Sequence, residues 1–437
     1  MKSNIESALK SASDTQALET GRGILPQVAA FFKRNFPEKR GLVVCDRTTW
    51  AVVGEVVYQQ LEEEGVAVTP FIFPEPRPYA GIENVDKLEE FMRLSDAAAI
   101  AVAVGSGTLN DLAKLASGRL ERPYMCVATA ASMDGYTAYG ASITADGNKK
   151  TFPCPAPYAV FADIDVIRNA PPEMTAAGYA DLFAKVTAGA DWILADMLGA
   201  EPIDVTAWHI VQDGLQSALA DPAGAREGRP DAIELLLEGL LLGGFAMQSS
   251  RTSRPASGAE HQFSHLWNME HHTHNGEIPA HGFQVGIATL AITRLYEVMM
   301  AAPLDRLNVP QTIAQWPSWE QQKARIEMLF AGTDFTATAL QQSKEKYIPT
   351  SKLTVQLEKL RSNWPLIKMR LSKQIIPSGE VKKRLDAVGA PTTPEQIGIS
   401  AVRLRNAYQR AQCIRSRFTI LDVAFRTNSF DNWLKLL

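Results

Sequence analysis

Cysteine and long hydrophobic runs are scarce in this sequence, and no charge of one sign predominates. Four cysteines are scattered without CxxC spacing, so neither a thiolate zinc site nor a disulfide framework is indicated. The longest apolar runs, such as 97–104, stop far short of the roughly 18 residues that a membrane-spanning helix needs. The balance of 44 basic against 48 acidic residues provides no general electrostatic attraction to nucleic acid or to anionic membranes. The N-terminal segment also lacks the apolar core of a signal peptide, so we expect a protein of the reducing cytoplasm.

The sequence does contain an ordinary globular composition and one marked concentration of histidine. With 437 residues, of which 46% are hydrophobic and 21% charged, the chain is long enough for two domains with sizeable cores. Six of its seven histidines lie within residues 261–281. Histidine is the most common metal ligand in proteins, so this cluster is the first candidate for a metal site.

The N-terminal part alternates between short apolar runs and helical patterns. The apolar runs lie at 41–45, 66–73, 97–104, 124–128 and 158–162. The run at 97–104 shows no polar alternation, which is typical of a parallel strand buried on both faces. Strands that alternate with helices predict an α/β domain with a Rossmann-like, mostly parallel sheet.

The pattern changes after residue 165 or so, where long helical periodicity replaces the strands. The pair Pro171-Pro172 with Glu173 suits the start of a helix, and the leucine-rich stretch 233–247 predicts a buried one. We therefore expect an α/β domain over residues 1–168 and an all-helical domain over residues 169–437.

Two segments that follow predicted strands have the composition of ligand-binding loops. Gly105 and Gly107 let the backbone turn tightly into a helix, whose N-terminus is a natural seat for a pyrophosphate. A simple strand-to-helix turn remains an alternative, because the third glycine of the dinucleotide fingerprint is missing. Asp46 ends an earlier strand and could bind a ribose hydroxyl, although such a residue is more often part of a turn. The segment 128–140 combines small residues, hydroxyls and an acid, and is either a ligand-lining loop or a surface loop.

Histidines and an aspartate in suitable positions indicate a metal site. His261 and His265 are four residues apart and share one face if the segment is helical. His281 begins another predicted helix, far enough along the chain for the two helices to pack side by side. The best candidate for a carboxylate ligand is Asp181, which lies among small and apolar residues on a helical pattern. The alternative for this residue is a buried aspartate paired with Lys185.

The remaining histidines have less specific surroundings. His271, His272 and His274 lie in a polar stretch with turn character, so we expect loop residues or residues that support the ligands. His209 follows Trp208 in an apolar context, and we expect a histidine of the core.

These segments, in this order, resemble the iron-containing alcohol dehydrogenase and dehydroquinate synthase superfamily. The likeness is greatest to the bacterial type of its glycerol-1-phosphate branch, and it extends from about residue 21 to about residue 300. The matching segments read VGSGTLNDLAK from Val104, ATAASMDGYTA from Ala128, AGYADLFAK from Ala177, GAEHQFSH from Gly258 and HGFQVGIAT from His281. The chain departs from the family at Ala131, where proline is frequent, and at Ala138, where the missing serine hydroxyl puts one cofactor hydrogen bond in doubt.

The resemblance implies a dehydroquinate synthase-like fold that binds NAD(P)(H). The implied cofactor-binding residues are Gly105, Ser106, Gly107, Thr108, Asn110, Asp111, Thr129 and Ser132. Asp46 joins this set on its position after a predicted strand. The implied ligands of one divalent metal (nickel, zinc or iron) are Asp181, His261 and His281. Asp134, Asp181 and His265 are the implied substrate-binding residues, and Asp181 and His265 are the implied catalytic ones.

The reaction implied by the resemblance is the reversible, metal-dependent reduction of dihydroxyacetone phosphate to sn-glycerol 1-phosphate by NAD(P)H. The phosphate needs cationic partners, for which Lys149, Lys150, Arg251 and Arg254 are candidates, each equally well explained as a solvated surface charge. The alternatives are a polyol or alcohol dehydrogenase for an unphosphorylated substrate and, less favoured, a dehydroquinate synthase-like carbon–oxygen lyase. Asp46 favours NADH, because a carboxylate repels a 2′-phosphate. We expect a small phosphorylated substrate, no nucleic acid partner, and a homodimer or higher homo-oligomer.

Overall fold

A six-stranded, fully parallel sheet organises the N-terminal part of the chain. The computed structural model describes residues 2–75, 78–145 and 148–437. The strands of this sheet are β1 (Ala17–Gly21), β2 (Gly41–Asp46), β3 (Phe71–Phe73), β4 (Ile100–Gly105), β5 (Tyr124–Ala128) and β8 (Ala159–Asp163), in the spatial order β1-β8-β5-β4-β2-β3. A separate antiparallel hairpin pairs β6 (Ala141–Ala145) with β7 (Asn148–Phe152). The expectation of a Rossmann-like, mostly parallel sheet is confirmed.

The apolar runs of the sequence become the central strands because helices cover both faces of the sheet. Every residue of β2, β4, β5 and β8 is buried, as the absence of polar alternation predicts. On one face, Phe31 and Phe32 of the second helix pack with Val43, Val102 and other strand residues in a continuous core. The edge strand β1 is the one that the apolar pattern does not indicate.

Parallel strands bring their carboxyl ends to one edge of the sheet, and the candidate cofactor residues follow these ends. Gly105 closes β4 in register with Ala128, the last residue of the neighbouring β5. Asp46 closes β2, on the other side of β4. In open α/β sheets this edge is where ligands bind.

The chain divides into two compact units, and the first contains helices from two stretches of sequence. This unit runs to Leu182 and includes His209–Ser253. Its helices are α1 (Lys2–Ser11), α2 (Val28–Asn35), α3 (Arg47–Thr49), α4 (Glu55–Glu63), α5 (Ile82–Leu94), α6 (Gly107–Arg119), α7 (Ile164–Ile167), the beginning of α8 (Pro172–Met197), the end of α9 (Val205–Gln212), α10 (Leu215–Ala218), α11 (Pro222–Arg226) and α12 (Pro230–Ser250).

The second unit, Phe183–Trp208 and Arg254–Leu437, is helical over its described residues. Besides the shared α8 and α9, its helices are α13 (Ala259–Met269), α14 (His281–Ala301), α15 (Val309–Ala314), α16 (Trp319–Leu329), α17 (Thr336–Lys346), α18 (Thr350–Gln374), α19 (Ser378–Val388), α20 (Ala401–Ala411), α21 (Ile420–Arg426) and α22 (Phe430–Leu434). The domain boundary near residue 168 stays a prediction.

Two long helices are buried along most of their length. In α8 every residue from Thr175 to Ala195 is buried, which explains its alanine- and glycine-rich sequence and the absence of a polar face. It starts at Pro172 with Glu173 in the first turn, as the sequence predicts. Helix α12 is apolar enough to cross a membrane by length and composition, but 72% of its most apolar window is buried, as in a core helix. The prediction of a buried helix over 233–247 is confirmed.

Candidate active site

Three side chains of metal-ligand type lie together in the structure. Asp181 lies on α8, His261 in the first turn of α13, and His281 is the first residue of α14. One ligand atom from each of the three lies within 4.8 Å of the other two. The carboxylate is fully buried and the imidazole of His261 nearly so, whereas His281 is partly exposed. This is the same set of three residues that the resemblance implies as metal ligands.

The ring of His261 is oriented by the residue that precedes it. Nδ1 of His261 lies 2.8 Å from Oε1 of Glu260, and Oε2 of this fully buried carboxylate accepts the hydroxyl hydrogen of Thr187 at 2.7 Å. Burial alone would raise the pKa of Glu260, but the hydrogen bonds from His261, Thr187 and the Gly258 N–H lower it. The ionised carboxylate can only accept, so Nδ1 of His261 carries a hydrogen; in the neutral imidazole Nε2 then has the lone pair that a metal requires.

A second chain of hydrogen bonds fixes the other imidazole. The amide nitrogen of Gln284 donates to Asn268 at 3.2 Å and to the Pro279 carbonyl at 2.9 Å, so its oxygen accepts the Ser264 hydroxyl hydrogen at 3.3 Å. Because that hydroxyl has only one hydrogen, it accepts from Nδ1 of His281 at 3.2 Å. The hydrogen of His281 therefore also lies on Nδ1.

The two imidazoles thus offer Nε2 lone pairs beside one carboxylate. Such an N₂O donor set suits nickel, zinc or iron, and oriented imidazoles are typical of metal sites. The residues present therefore fit a divalent metal.

Asp181 is also connected to the loop that follows β5. Its Oδ2 accepts the backbone N–H of Asp134 at 3.1 Å. The approach is possible because residue 178, one turn earlier in α8, is glycine, and a Cβ there would lie 1.9 Å from the carbonyl oxygen of Ala131. The loop over residues 129–140 therefore lies directly on the helix that supplies the candidate carboxylate ligand.

The same loop is held from the other side by α6. Lys114 is 1% exposed, and its Nζ donates to the carbonyl oxygens of Gly135, Ala138 and Gly140 at 3.0, 2.9 and 3.1 Å. Asn110, one turn earlier, accepts the Tyr124 hydroxyl hydrogen at 3.0 Å and donates to the Gly135 carbonyl at 3.3 Å. The side chain of Asn110 is thus occupied within the protein, and its implied contact with the cofactor stays a prediction.

The glycine-rich turn has the geometry of an anion site. Ser106 is the N-cap of α6, and the helix starts at Gly107 directly after β4. Ser106, Gly107 and Thr108 are partly exposed, and the N–H groups of a first helical turn have no acceptor within the helix and suit an anion. Gly105 is required where it stands, because a Cβ would lie 2.3 Å from the Leu109 side chain.

Of the other predicted cofactor residues, two accept hydrogen bonds from the protein backbone and two lie in the loop after β5. Asp46 caps α3, since its Oδ1 accepts the Thr49 N–H at 2.7 Å. Asp111 accepts the Ser142 N–H at 3.1 Å. Thr129 is 8% exposed and Ser132 is partly exposed, both in the loop after β5. The structure leaves the roles of these residues as predictions.

His265 lies near the three ligand-type residues but is not one of them. It is half-buried one turn after His261 in α13, with ring centroids 6.4 Å apart. This position is compatible with a substrate-facing imidazole.

The remaining histidines either make contacts that support the fold or lie at the surface. Nε2 of His272 lies 2.6 Å from the Ile397 carbonyl oxygen, and its Nδ1 lies 2.7 Å from the Arg403 guanidinium. His271 is exposed in the same turn, and His274 packs against Gly398. The expectation for His209 is wrong: its side chain is 60% exposed beside Asp213, because it lies on the outward face of α9.

The candidate phosphate partners differ in accessibility. Arg254 is 1% exposed and donates to the carbonyl oxygens of Phe418 and Asp191, so it is neither a solvated charge nor open to a phosphate. Arg251 pairs with Asp14 at 2.9 Å, and Lys150 is exposed. The side chain of Lys149 lies outside the described residues.

Sequence reasoning missed Glu260, Ser264 and Lys114 as supporting residues. Glu260 precedes a ligand-type histidine, and Lys114 is a charge within the apolar helix that follows the glycine-rich turn. These two positions carried a usable signal, whereas the role of Ser264 depends on the packing of α13 against α14.

Comparisons with known proteins show which proteins this chain resembles. The family model for iron-containing alcohol dehydrogenase matches residues 19–171. A glycerol-1-phosphate dehydrogenase (NAD(P)+) of Halalkalibacterium halodurans is 36% identical over 256 residues, which cover 58% of this chain and 64% of that protein. The enzyme of the same name from Pyrococcus abyssi is 33% identical over 279 residues, which cover 64% of this chain and 78% of that protein.

Among solved structures, glycerol dehydrogenase from Schizosaccharomyces pombe has the same fold. The two structures superimpose with a TM-score of 0.60 at 16% sequence identity. The superposition covers 97% of this chain and 91% of the S. pombe chain. The sequence match to the H. halodurans relative spans a little under two thirds of that protein's length.

Proposed function

This chain belongs to the family of glycerol-1-phosphate dehydrogenases, and we propose that it reduces dihydroxyacetone phosphate to sn-glycerol 1-phosphate with NAD(P)H. The observation that carries the proposal is the grouping of Asp181, His261 and His281 within 4.8 Å. A donor set of this kind favours a divalent metal with positions open to substrate oxygens. When bound, the metal supplies Lewis-acid polarisation of the substrate carbonyl, and the reduced dinucleotide supplies the hydride.

In this proposal the first unit of the chain binds the cofactor. The N-terminal turn of α6, from Ser106 to Asp111, holds the pyrophosphate with backbone N–H groups. Thr129 and Ser132 contact the nicotinamide or its ribose. Asp46 accepts a hydrogen bond from the other ribose and disfavours a 2′-phosphate there, which favours NADH.

The substrate is oriented by residues close to the three ligands. Asp134 lies in the loop whose backbone N–H reaches Asp181, and we assign it to a substrate hydroxyl. A ring nitrogen of His265 delivers the proton that the reduced oxygen requires. General acid–base help of this kind accelerates reactions by about 10²–10⁴-fold.

The phosphate, the oligomeric state and the cellular location complete the proposal. Lys150 and Arg251 remain candidates for the substrate phosphate, whereas Arg254 does not, because it is buried on carbonyl oxygens. We propose a homodimer, the most common form among soluble homo-oligomers, in the cytoplasm.

The test is an assay that couples metal content to substrate choice. The purified protein is stripped with a chelator, reloaded separately with nickel, zinc or iron, and assayed by NADH and NADPH oxidation. We expect activity that requires metal and that falls steeply when dihydroxyacetone replaces its phosphate. Equal activity with both ketones would instead indicate a polyol dehydrogenase. If neither NADH nor NADPH were oxidised, the proposal that the protein is a dehydrogenase would be wrong.

The ligand assignment is tested by replacing His281. His281→Ala should lose both the bound metal and the activity while the circular dichroism spectrum stays that of the wild type. His209→Ala is the matched control, because this histidine is 60% exposed on α9. A His281→Ala variant that keeps stoichiometric metal and activity would show that His281 is not a ligand.

A further inference from the structure

We infer that Asp191 is a positioning residue of the metal centre, whose carboxylate fixes the two histidine-bearing helices α13 and α14 against α8. The inference rests on the proposed metal site, and it concerns a residue ten positions beyond Asp181 on the same helix. Asp191 is fully buried and lies outside the group of three ligand-type residues.

The contacts of this carboxylate reach three separate helices. Its Oδ2 accepts the backbone N–H of Ala259 at 2.7 Å. Its Oδ1 accepts the hydroxyl hydrogen of Tyr296 at 2.6 Å and the backbone N–H of Ile420 at 2.8 Å. One side chain of α8 thereby binds α13, α14 and α21 at the same time.

Two of these partners belong to the helices that carry the imidazoles. Ala259 begins α13, two residues before His261, and Tyr296 lies on α14, the helix that begins with His281. Because a helix transmits the position of one turn to the next, fixing Ala259 and Tyr296 to α8 restricts where both imidazoles can lie relative to Asp181.

The backbone at the start of α13 is shaped for this contact. Residue 258 is glycine, and a Cβ there would lie 2.6 Å from Oδ2 of Asp191 and 2.9 Å from the Cα of Ala188. Ala188 is seven residues after Asp181, nearly two full turns, so both lie on the same face of α8. The start of α13 therefore packs closely against the face of α8 that carries Asp181.

A carboxylate suits this position in a way that an amide does not. It accepts on both oxygens, whereas asparagine has one oxygen and an NH₂ group that must face either the Ala259 N–H or the Ile420 N–H. Burial and the nearby Glu260 carboxylate raise the pKa of Asp191 to about 7. Burying such a group costs folding free energy. A role in positioning the metal ligands would explain why a carboxylate lies here despite that cost.

The experiment compares metal binding by the wild type and by Asp191→Asn. Each full-length protein is stripped of metal, titrated with Co²⁺ in competition with a chelator, and recorded in the visible d–d region, which reports ligand geometry. Direct hydrogen-bond partners of metal ligands typically contribute about 10–100-fold in affinity. Asp191 acts one step further away, through the backbone of α13 and the Tyr296 hydroxyl, so we expect Asp191→Asn to bind Co²⁺ about 10-fold more weakly, the low end of that range, with a shifted spectrum. The KM for the dinucleotide should stay unchanged, because the cofactor turn lies on other elements.

Asp422→Asn is the matched control, because it removes a buried carboxylate of the same unit without touching α13 or α14. Asp422 caps α21 through the Thr419 N–H at 2.9 Å and pairs with Lys346 at 2.8 Å. A purely structural role for Asp191 predicts that both variants lose stability and neither loses Co²⁺ affinity, which would overturn the inference.

A second variant decides the matter if Asp191→Asn does not fold. Tyr296→Phe deletes only the hydroxyl that ties α14 to Asp191, and we expect a smaller loss of Co²⁺ affinity in the same direction. Wild-type affinity and spectrum in this variant would overturn the inference. A wild-type protein that binds no metal would overturn the proposed function as well, so the two failures are distinguishable.

Discussion

Nδ1 of His261 lies 2.8 Å from Oε1 of Glu260, the residue immediately before it in the chain. Consecutive residues of a helix point in directions about 100° apart, so this contact requires Glu260 to fold back toward the start of α13. The N–H of Gly258 meets the same oxygen at 2.5 Å and stabilises that conformation. Glu260 therefore accepts a backbone N–H at the start of α13 and also orients the ring of His261.

Replacing Glu260 should weaken metal binding in a graded order. Glu260→Gln keeps an oxygen for His261, and its NH₂ group can donate to Thr187, whose hydroxyl hydrogen then goes to the Ala184 carbonyl at 3.0 Å. Glu260→Ala keeps neither contact. We expect affinity to fall by about 10-fold in the first variant and about 100-fold in the second, measured by chelator competition. The comparison variant is Thr187→Val, which removes one partner of Glu260 but keeps the contact with His261, so its affinity should fall less than that of Glu260→Ala. An alanine variant that binds metal like the wild type would contradict the orienting role.

Gly178→Ala should damage the loop over residues 129–140. The new Cβ would lie 1.9 Å from the Ala131 carbonyl oxygen, so the loop must move away from α8 and withdraw the Asp134 N–H from Asp181. We expect the free energy of unfolding to fall by about 1–3 kcal/mol in denaturant titrations, as in other overpacked sites. The matched control is Gly379→Ala on α19, where nothing lies within 4 Å of the new Cβ. Equal stability of the two variants would show that the loop relaxes freely.

Lys114→Met should destabilise the same loop from the side of α6. The variant keeps an unbranched apolar stem but removes the Nζ donor from the carbonyl oxygens of Ala138 and Gly140, whereas the Gly135 carbonyl keeps its hydrogen bond from Asn110. We expect a loss of about 1–3 kcal/mol for each acceptor that water does not reach, and a raised KM for the dinucleotide, because α6 also provides the glycine-rich turn.

Lys33→Met is the control for Lys114→Met. Lys33 pairs with Glu64 at the surface with 48% of its side chain exposed, and pairs of this kind contribute little to stability. Unfolding curves measured side by side would contradict the prediction if both variants matched the wild type.

The sequence predicts those features of the fold and of the site that depend on neighbouring residues, and misses those that depend on contacts between distant parts of the chain. The strand at 100–105 and the turn at Gly105 could be predicted, because apolar runs and glycines report on their own backbone. Asp181 could be singled out, because an acid among alanines on a helical pattern is rarely a solvated surface charge. The prediction for His209 is wrong because apolar sequence neighbours do not say which face of a helix a residue occupies, and α9 turns it outward. The contacts of Asp191 were not predictable, since they join residues separated by 68 to 229 positions.

The pH dependence of stability provides a last test of the buried carboxylate at position 191. Burial and the nearby Glu260 raise the pKa of Asp191 from 3.8 to about 7. Between these values the folded chain keeps a proton that the unfolded chain has released, so the free energy of unfolding decreases as pH rises, by at most about 1.4 kcal/mol per unit. Asp191→Asn lacks this group, whereas every other titrating group is shared. In metal-free proteins, the stability of the wild type minus that of the variant should therefore fall from pH 5 to pH 7 and level off above it. Two curves that stay parallel over this range would show that Asp191 titrates alike in the folded and unfolded chains.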